Sequence, residues 1–283
     1  MNTFLIIPNK SKDADYEVST RVAKMLKERG ATLYILDEYG TDLSGYAIKS
    51  GTVPLGVELI IVVGGDGSVI DASVIAVEND LPIVAVNLGN LGYLSEIELS
   101  ELSLLDRLFT GEYKIEEKLL LSVSVNSGGV AHRSERFAVN DVIISHETYV
   151  GLAQLSLTDS NGASVKYRAD GLIMSTPVGS TAYSLSAGGP LVSHDIDCIM
   201  ATPICPHSFF NRSVIFNPTE SLTLKNIGES GLNVSVDGRY FTMLEAGQSC
   251  VVRAAEKRFK MLTFSENNMF STLFGKMKRF ENI

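Results

Sequence analysis

The segment Gly64-Gly65-Asp66-Gly67-Ser68 has the residue types for phosphate chemistry. It follows a near-continuous β-branched run over residues 57–63 and precedes a helical pattern over residues 68–78. Backbone N–H groups in such a turn, together with those of a following helix N-terminus, can surround a phosphate. Glycine at 64, 65 and 67 permits positive φ and close backbone approach. Asp66 is the odd member, because a carboxylate repels an anion unless it has a task. Two tasks fit: accepting the proton of an attacking hydroxyl, or holding Mg²⁺. The competing reading is a tight turn in which Asp66 caps the helix. A buried strand leading into the turn favours a ligand, since open α/β sheets bind ligands beyond the carboxyl ends of their strands.

Other chemistries are weakly represented. There is no GxxxxGK[ST] loop and no GxGxxG fingerprint, which argues against a Walker-type NTPase and a plain Rossmann dehydrogenase. HExxH and GxSxG are absent. The four histidines, His132, His146, His194 and His207, show no metal-ligand spacing, and no metal-ligating residue is assigned. The cysteines, Cys198, Cys205 and Cys250, are odd in number and dispersed, with no CxxC. A disulfide scaffold and a zinc site are therefore disfavoured, and all three read as small buried hydrophobes.

A GGDG turn is shared by phosphofructokinases, diacylglycerol and sphingosine kinases, and NAD kinases, so longer blocks must discriminate. Residues 87–94 read NLGNLGYL, Asn140-Asp141 opens a strand, residues 170–190 read DGLIMSTPVGSTAYSLSAGGP, and residues 202–207 read TPICPH. An Asn amide can pair with adenine N6 and N7, and a carboxylate suits ribose hydroxyls. The competing reading of Asn140-Asp141 is an Asx turn entering a strand. The Pro-, Gly- and hydroxyl-rich stretch 176–181 reads as a loop leading into a short helix at about 181–187.

In this order, from about Phe4 to Phe274, these blocks closely resemble the NAD kinase family. The resemblance implies transfer of the γ-phosphoryl group of ATP to the 2′-hydroxyl of the adenosine ribose of NAD, giving NADP. Some relatives accept polyphosphate. It further implies a divalent metal cation, usually Mg²⁺, and a homodimer or homotetramer. Asp66 matches the general base, with Gly64, Gly65 and Gly67 leaving room for the donor's phosphates. Asn140 and Asp141 match the pair that holds the acceptor NAD, although many relatives carry Asn-Glu there. Arg168 and Asp170 fall near the bound nucleotide. Thr181, Ala182, Tyr183, Ser184, Leu185 and Ser186 line the NAD pocket, with Tyr183 stacking on a base. Tyr93 matches an aromatic position beside the acceptor, and the Asp237-Gly238-Arg239 turn approaches a nucleotide through Arg239. Val178 stands where the family usually has Thr. His207 reads as a structural histidine. Two alternatives remain: a lipid kinase with the same turn, and a nucleotide sensor without catalysis, which would have no need of Asp66.

The elements that must position these residues change character along the chain. Up to residue 111, strand and helix alternate: strands at 4–8, 32–36, 57–63 and 81–87, helices at 14–29, 68–78 and 100–109, and a loop over 40–56. This is the pattern of a doubly wound α/β domain, and the resemblance implies one of NAD kinase or diacylglycerol kinase type. Residues 112–262 read as an all-β, sandwich-like domain, with strands at 119–125, 152–158, 163–168, 221–225, 232–236 and 249–254. Its turns are Asn126-Ser-Gly-Gly, Asp159 to Gly162 and Asp237-Gly238. Residues 263–283 are expected to return as a helix, over 268–280, packing on the first domain.

With 283 residues, 45% of them hydrophobic, the chain can bury a large core. A net charge of −9 disfavours nucleic acid or an anionic membrane as partner. No apolar stretch approaches the ~18–20 residues of a membrane span, and the N-terminus lacks a basic signal region. A cytoplasmic protein is expected. From Arg253 to Ile283 there are seven basic and three acidic residues. This tail reads as a solvated helix face or as a contact with an acidic neighbour such as another subunit.

Overall fold

Residues 59–63 are five consecutive branched aliphatics, a pattern satisfied by a strand covered on both faces. In the computed structural model they form β4 (Leu59–Gly64), buried along its whole length. The structure describes residues 1–89, 92–126, 135–146, 151–207 and 210–264. The expected helix at 268–280, its packing on the first domain and most of the basic tail lie outside these residues, as do His132 and the body of the turn at 126–129. The chain divides into two compact units. One comprises Met1–Glu117 and the described residues from Phe259 onward, the other Lys118–Arg258.

In the first unit β1 (Thr3–Pro8), α1 (Glu17–Glu28), β2 (Thr32–Leu36) and β3 (Ile48–Ser50) precede β4. α2 (Asp66–Asn79), β5 (Ile83–Asn87) and α3 (Arg107–Thr110) follow it. The strands are parallel in the order β5-β4-β1-β2-β3. The chain therefore builds outward from β1 in one direction and then from β4 in the other. The reversal lies between β1 and β4, where Leu5 pairs with Ile60 and Pro8 with Val63. The carboxyl ends of two strands that diverge in this way leave a crevice suited to a ligand.

α1 turns Val22, Ala23 and Leu26 into a core with Phe4, Ile6, Leu33, Ile61 and Val63. Its start is fixed by Asp13, whose carboxylate accepts the N–H groups of Val18 and Ser19, both at 2.9 Å. The helical reading of residues 14–16 is thus corrected to a single 3-10 turn, with Asp15 and Tyr16 at positive φ. The helix read at 100–109 is instead a 3-10 run over Leu99–Asp106 with a break at Glu101, followed by one α-turn. The stretch read as a loop over 40–56 contains β3, whose three residues are too few to display a period.

In the second unit, the six-stranded antiparallel sheet contains β8 (Asp141–His146), β11 (Gly171–Ser175), β12 (Ile199–Ile204), β13 (Val214–Phe216), β15 (Leu232–Val236) and β16 (Arg239–Leu244). Its order is β13-β12-β11-β8-β15-β16. The facing sheet is built from β6 (Lys114–Asn126), β7 (Glu135–Ala138), β9 (Ala153–Thr158), β10 (Ser164–Ala169), β14 (Ser221–Asn226) and β17 (Ser249–Thr263). Val142, Ile144, Leu172, Met174 and Val234 from the first sheet meet Leu121, Val123, Leu155, Leu224 and Val252 from the second. This is an antiparallel β-sandwich. β17 runs beyond the expected 249–254, and Met261 at its far end pairs in parallel with Ile83 of β5 inside the first unit. Cys198 and Cys250 are buried as read, but Cys205 is exposed and sits at φ 44°. It belongs to the turn that ends β12 and not to the core. Among the described residues no helix is long and apolar enough to cross a membrane.

Candidate active site

Gly64 ends β4, and Gly65, extended at φ −114° and ψ −170°, is the N-cap of α2. Asp66 is therefore the first helical residue and does not cap the helix with its side chain. None of Gly64, Gly65 and Gly67 has positive φ, so of the two expected reasons only close approach applies, and it applies at Gly64 and Gly65. A Cβ on Gly64 would strike the Ser68 side chain, reaching its Cβ at 2.6 Å. A Cβ on Gly65 would lie 2.7 Å from the Nζ of Lys12 and 3.8 Å from the Cα of Gly89. Gly67 is open to solvent. Among the described residues the N–H groups of Gly65, Asp66 and Gly67 have no acceptor; the first helical bond is from Ser68 to the Gly65 carbonyl at 2.8 Å. Unpaired donors at a helix start, next to two glycines with no room for a Cβ, suit an anion.

Asp66 is half-buried and holds the chain that returns after β5. Its carboxylate accepts N–H bonds from Tyr93 at 2.6 Å and Leu94 at 3.0 Å, and the Ser95 hydroxyl at 3.3 Å. The Tyr93 backbone is thereby brought beside Asp66. The Tyr93 phenol is pushed up by partial burial and then by the Asp66 charge, so it remains a neutral hydrogen-bond donor at physiological pH. On the other side, the buried Asn87 accepts the Gly89 N–H at 2.8 Å through its side-chain oxygen. The loops after β1, β4 and β5 thus meet at the reversal of strand order.

In the second unit, β8 lies between β11 and β15, so residues distant in sequence share one sheet end: Asp141 pairs with Ser175, and Val142 with Val236. Asp237 and Gly238, at φ 49° and 76°, make the expected two-residue hairpin turn. The Asp237 carboxylate then does what its sequence position did not announce. It accepts the N–H groups of Val139, Asn140 and Asp141 at 2.8, 2.8 and 3.0 Å. From the other side the Asn140 carbonyl accepts the Thr176 N–H at 2.9 Å, and the Thr176 hydroxyl donates to the Val139 carbonyl at 2.6 Å. Gly179 abuts Asn140 so closely that a Cβ there would reach the Asn140 carbonyl carbon at 2.7 Å. The Asn140 backbone is clamped on both edges, and its side chain is half-buried.

Asp141 is 4% exposed. Burial pushes its carboxyl up to about 7, and the Asp237 charge adds to the shift. Asp237 is also raised by burial, against the opposing effect of its three N–H bonds and of Arg239. An unfolded aspartate releases its proton near pH ~3.9. The folded protein therefore loses stability as pH rises from there through about 7, because the unfolded chain sheds its proton first. Asp141→Asn removes this dependence. The variant is expected to gain on the parent chain in denaturant midpoint between pH 5 and pH 8, and parallel curves would contradict the assignment.

The remaining candidates separate into exposed and buried groups. The loop 176–181 contains a 3-10 turn, Val178–Thr181, and continues into α4 (Tyr183–Ser186). Tyr183 and Leu185 are 45% and 39% exposed, and Ser186 is exposed. Thr181 and Ala182 are half-buried. Ser184 is fully buried, and its hydroxyl pairs with that of Thr202 at 3.2 Å. Arg168 is exposed on β10, and its carbonyl accepts the His207 N–H at 2.7 Å. Asp170, half-buried, lies 3.7 Å from Nε2 of His146. Arg239 opens β16 and is exposed. Asn9 and Ser95, which bond to Ser68 and Asp66, carry no local sequence signal, and the Asp237-Gly238 signal announces a turn but not the bonds to Val139, Asn140 and Asp141; only strand order and register bring these together.

The family model of the ATP-NAD kinase N-terminal domain matches residues 4–113, and that of the C-terminal domain matches residues 139–264. The chain belongs to the NAD kinase family. The NAD kinase of Lachnoclostridium phytofermentans is 34% identical over 280 residues, spanning 96% of this chain and 98% of that one. The NAD kinase of Natranaerobius thermophilus is 34% identical over 285 residues, spanning 98% of each. The protein is accordingly an enzyme, a kinase that phosphorylates NAD. Its fold is that of solved family members. Yeast NADH kinase complexed with NADH superposes with a TM-score of 0.88 at 22% identity, covering 98% of this chain and 88% of that one. An NAD kinase from Archaeoglobus fulgidus in complex with ATP gives 0.70 at 21% identity, covering 99% of each.

Proposed function

We propose that this NAD kinase uses ATP as donor and the 2′-hydroxyl of the adenosine ribose of NAD as acceptor, with Asp66 as general base. The observation that carries the reading is the placement of Asp66 at the reversal of strand order, in a turn whose Gly65, Asp66 and Gly67 N–H groups have no acceptor among the described residues. In the reaction the 2′-oxygen bonds to the γ-phosphorus. The bond from that phosphorus to the bridging oxygen breaks, and ADP leaves. The hydroxyl proton passes to the Asp66 carboxylate and then to water. Each carboxylate oxygen has two lone-pair sites, so one engaged by a backbone N–H retains capacity for the hydroxyl. Phosphoryl transfer runs through a loose transition state, in which positioning and charge neutralisation dominate.

Asn140 is assigned to the adenine edge and Asp141 to the ribose hydroxyls. Arg168, Asp170, Thr181 to Ser186, Tyr93 and Arg239 are assigned to the bound nucleotides, with exposed Tyr183 suited to stacking on a base. Among the described residues no group of three or more His, Cys, Asp or Glu can hold a metal ion. A divalent cation, if required, would therefore be held mainly by the donor's phosphates, where it would supply charge neutralisation. The family resemblance further carries a homodimer or homotetramer in the cytoplasm.

The test is incubation with ATP, Mg²⁺ and NAD, followed by coupling to an NADP-specific dehydrogenase. NADP formation is expected, and its absence sinks the reading. Asn140→Ala should raise KM for NAD by ~10-fold or more, the scale of a bidentate adenine contact, with kcat nearly intact. An unchanged KM would remove Asn140 from the acceptor site.

A further inference from the structure

We infer that Lys12 is a phosphate-binding residue of this site, and that its ammonium engages the terminal phosphates of the phosphoryl donor. The inference rests on the reading of the Gly64–Gly67 turn as the place where the phosphoryl group is transferred.

Lys12 lies in the loop that leaves β1, the strand adjacent to β4 at the reversal of strand order. Its Nζ is 2.7 Å from the point a Cβ on Gly65 would occupy and 3.5 Å from the same point on Gly89. The ammonium therefore stands over two glycines that face each other, immediately before Asp66. The loop bearing it is built, not slack. The Asn9 N–H donates to the Val63 carbonyl at 2.9 Å, next to the start of the turn. The Asn9 carbonyl accepts the N–H groups of Lys12 and Asp13 at 3.0 and 2.8 Å. The Asn9 amide donates to the Ser68 hydroxyl on α2 at 2.6 Å, while its oxygen accepts the Ser11 and Lys12 N–H groups at 3.0 and 3.1 Å. One side chain thus ties the Lys12 backbone to the helix that begins at Asp66. Asp13 fastens the far end of the loop to α1.

Among the described residues no carboxylate lies within ion-pair distance of Lys12, so nothing there neutralises the charge. A lysine works as a point charge towards phosphate and adds to the backbone donors of Gly65, Asp66 and Gly67. A cation on the donor's side of Asp66 also leaves the carboxylate free to face the acceptor hydroxyl.

The test compares Lys12→Ala, Lys12→Arg and the control Lys10→Ala, an exposed lysine of the same loop. Lys12→Ala should raise KM for ATP by ~10-fold, as for loss of one hydrogen bond to a charged group, with KM for NAD unchanged. Lys12→Arg should recover most of the loss, and Lys10→Ala should match the parent. Binding of tripolyphosphate in the absence of NAD, followed by calorimetry, should weaken in parallel. That readout stands even if no NADP is formed, so failure of the kinase reading and failure of this one are distinguishable. An unchanged ATP KM and unchanged tripolyphosphate affinity would overturn the assignment. So would a rise confined to NAD, which would place Lys12 on the acceptor's phosphates, or equal rises for both substrates, which would mark a structural role.

Discussion

Asp66→Asn should lower kcat by ~10²–10⁴, the usual worth of general-base assistance, with a much smaller change in KM for NAD. The structure makes this variant less simple than an isosteric swap. Asp66 also holds the N–H groups of Tyr93 and Leu94 and the Ser95 hydroxyl. An asparagine retains one acceptor oxygen but points an NH₂ group at a donor. Loss of a hydrogen bond to a charged group costs ~1.5–3 kcal/mol, and partial exposure keeps the effect here at the low end. Ser95→Ala supplies the comparison, since it removes one donor from the same return loop and leaves the carboxylate itself in place. If the two variants lose kcat equally, Asp66 positions the loop and another group takes the proton. A kcat deficit in Asp66→Asn far beyond that of Ser95→Ala, with similar thermal stability, is the expected result. Steady-state kinetics alongside melting curves decide between them.

Asp237→Ala should be the most damaging change outside the Gly64–Gly67 turn. It leaves the N–H groups of Val139, Asn140 and Asp141 without their shared acceptor. A buried donor without a partner costs ~1–3 kcal/mol, so the loss summed over the site is a sizeable part of a domain's stability. The same carboxylate holds the Asn140 backbone, so KM for NAD should rise with kcat less affected. Asp237→Asn should be intermediate, because one amide oxygen still accepts. Removing the Asp237 charge also removes the second cause of the raised Asp141 pKa, so Asp141 should titrate lower in Asp237→Asn than in the parent. Denaturant unfolding measures the first effect, NAD kinetics the second, and the pH dependence of unfolding the third. Equal stability of Asp237→Ala and the parent would show that the three N–H groups find water instead.

Much of the architecture was legible because it is written locally. The aliphatic run of β4, the helical spacing of Val22 and Leu26, and the Asp237-Gly238 turn each report burial or dihedral preference within a few residues. The Gly64–Gly67 turn was legible for the same reason: strand, turn and helix are contiguous there. The 3-10 run at Leu99–Asp106 was not legible, since its apolar spacing imitates an α-helix and only the break at Glu101 tells them apart. The glycines illustrate the boundary well. Their presence marked either positive φ or close approach, and only the structure shows that Gly64 and Gly65 serve the second, beside Ser68, Lys12 and Gly89.

By itself, the order of residues determined most strands and the longer helices, the two-part organisation and the identity of the acid in the turn. Tertiary structure alone decided that Asp237 reaches back 96 to 98 residues to clamp Asn140, and that Lys12 stands over Gly65. Periodicity reports how much of each element is buried, whereas choice of neighbour depends on the free energy of the whole assembly. Closing a long loop costs little more than closing a shorter one, so sequence separation does not reveal which strands will meet.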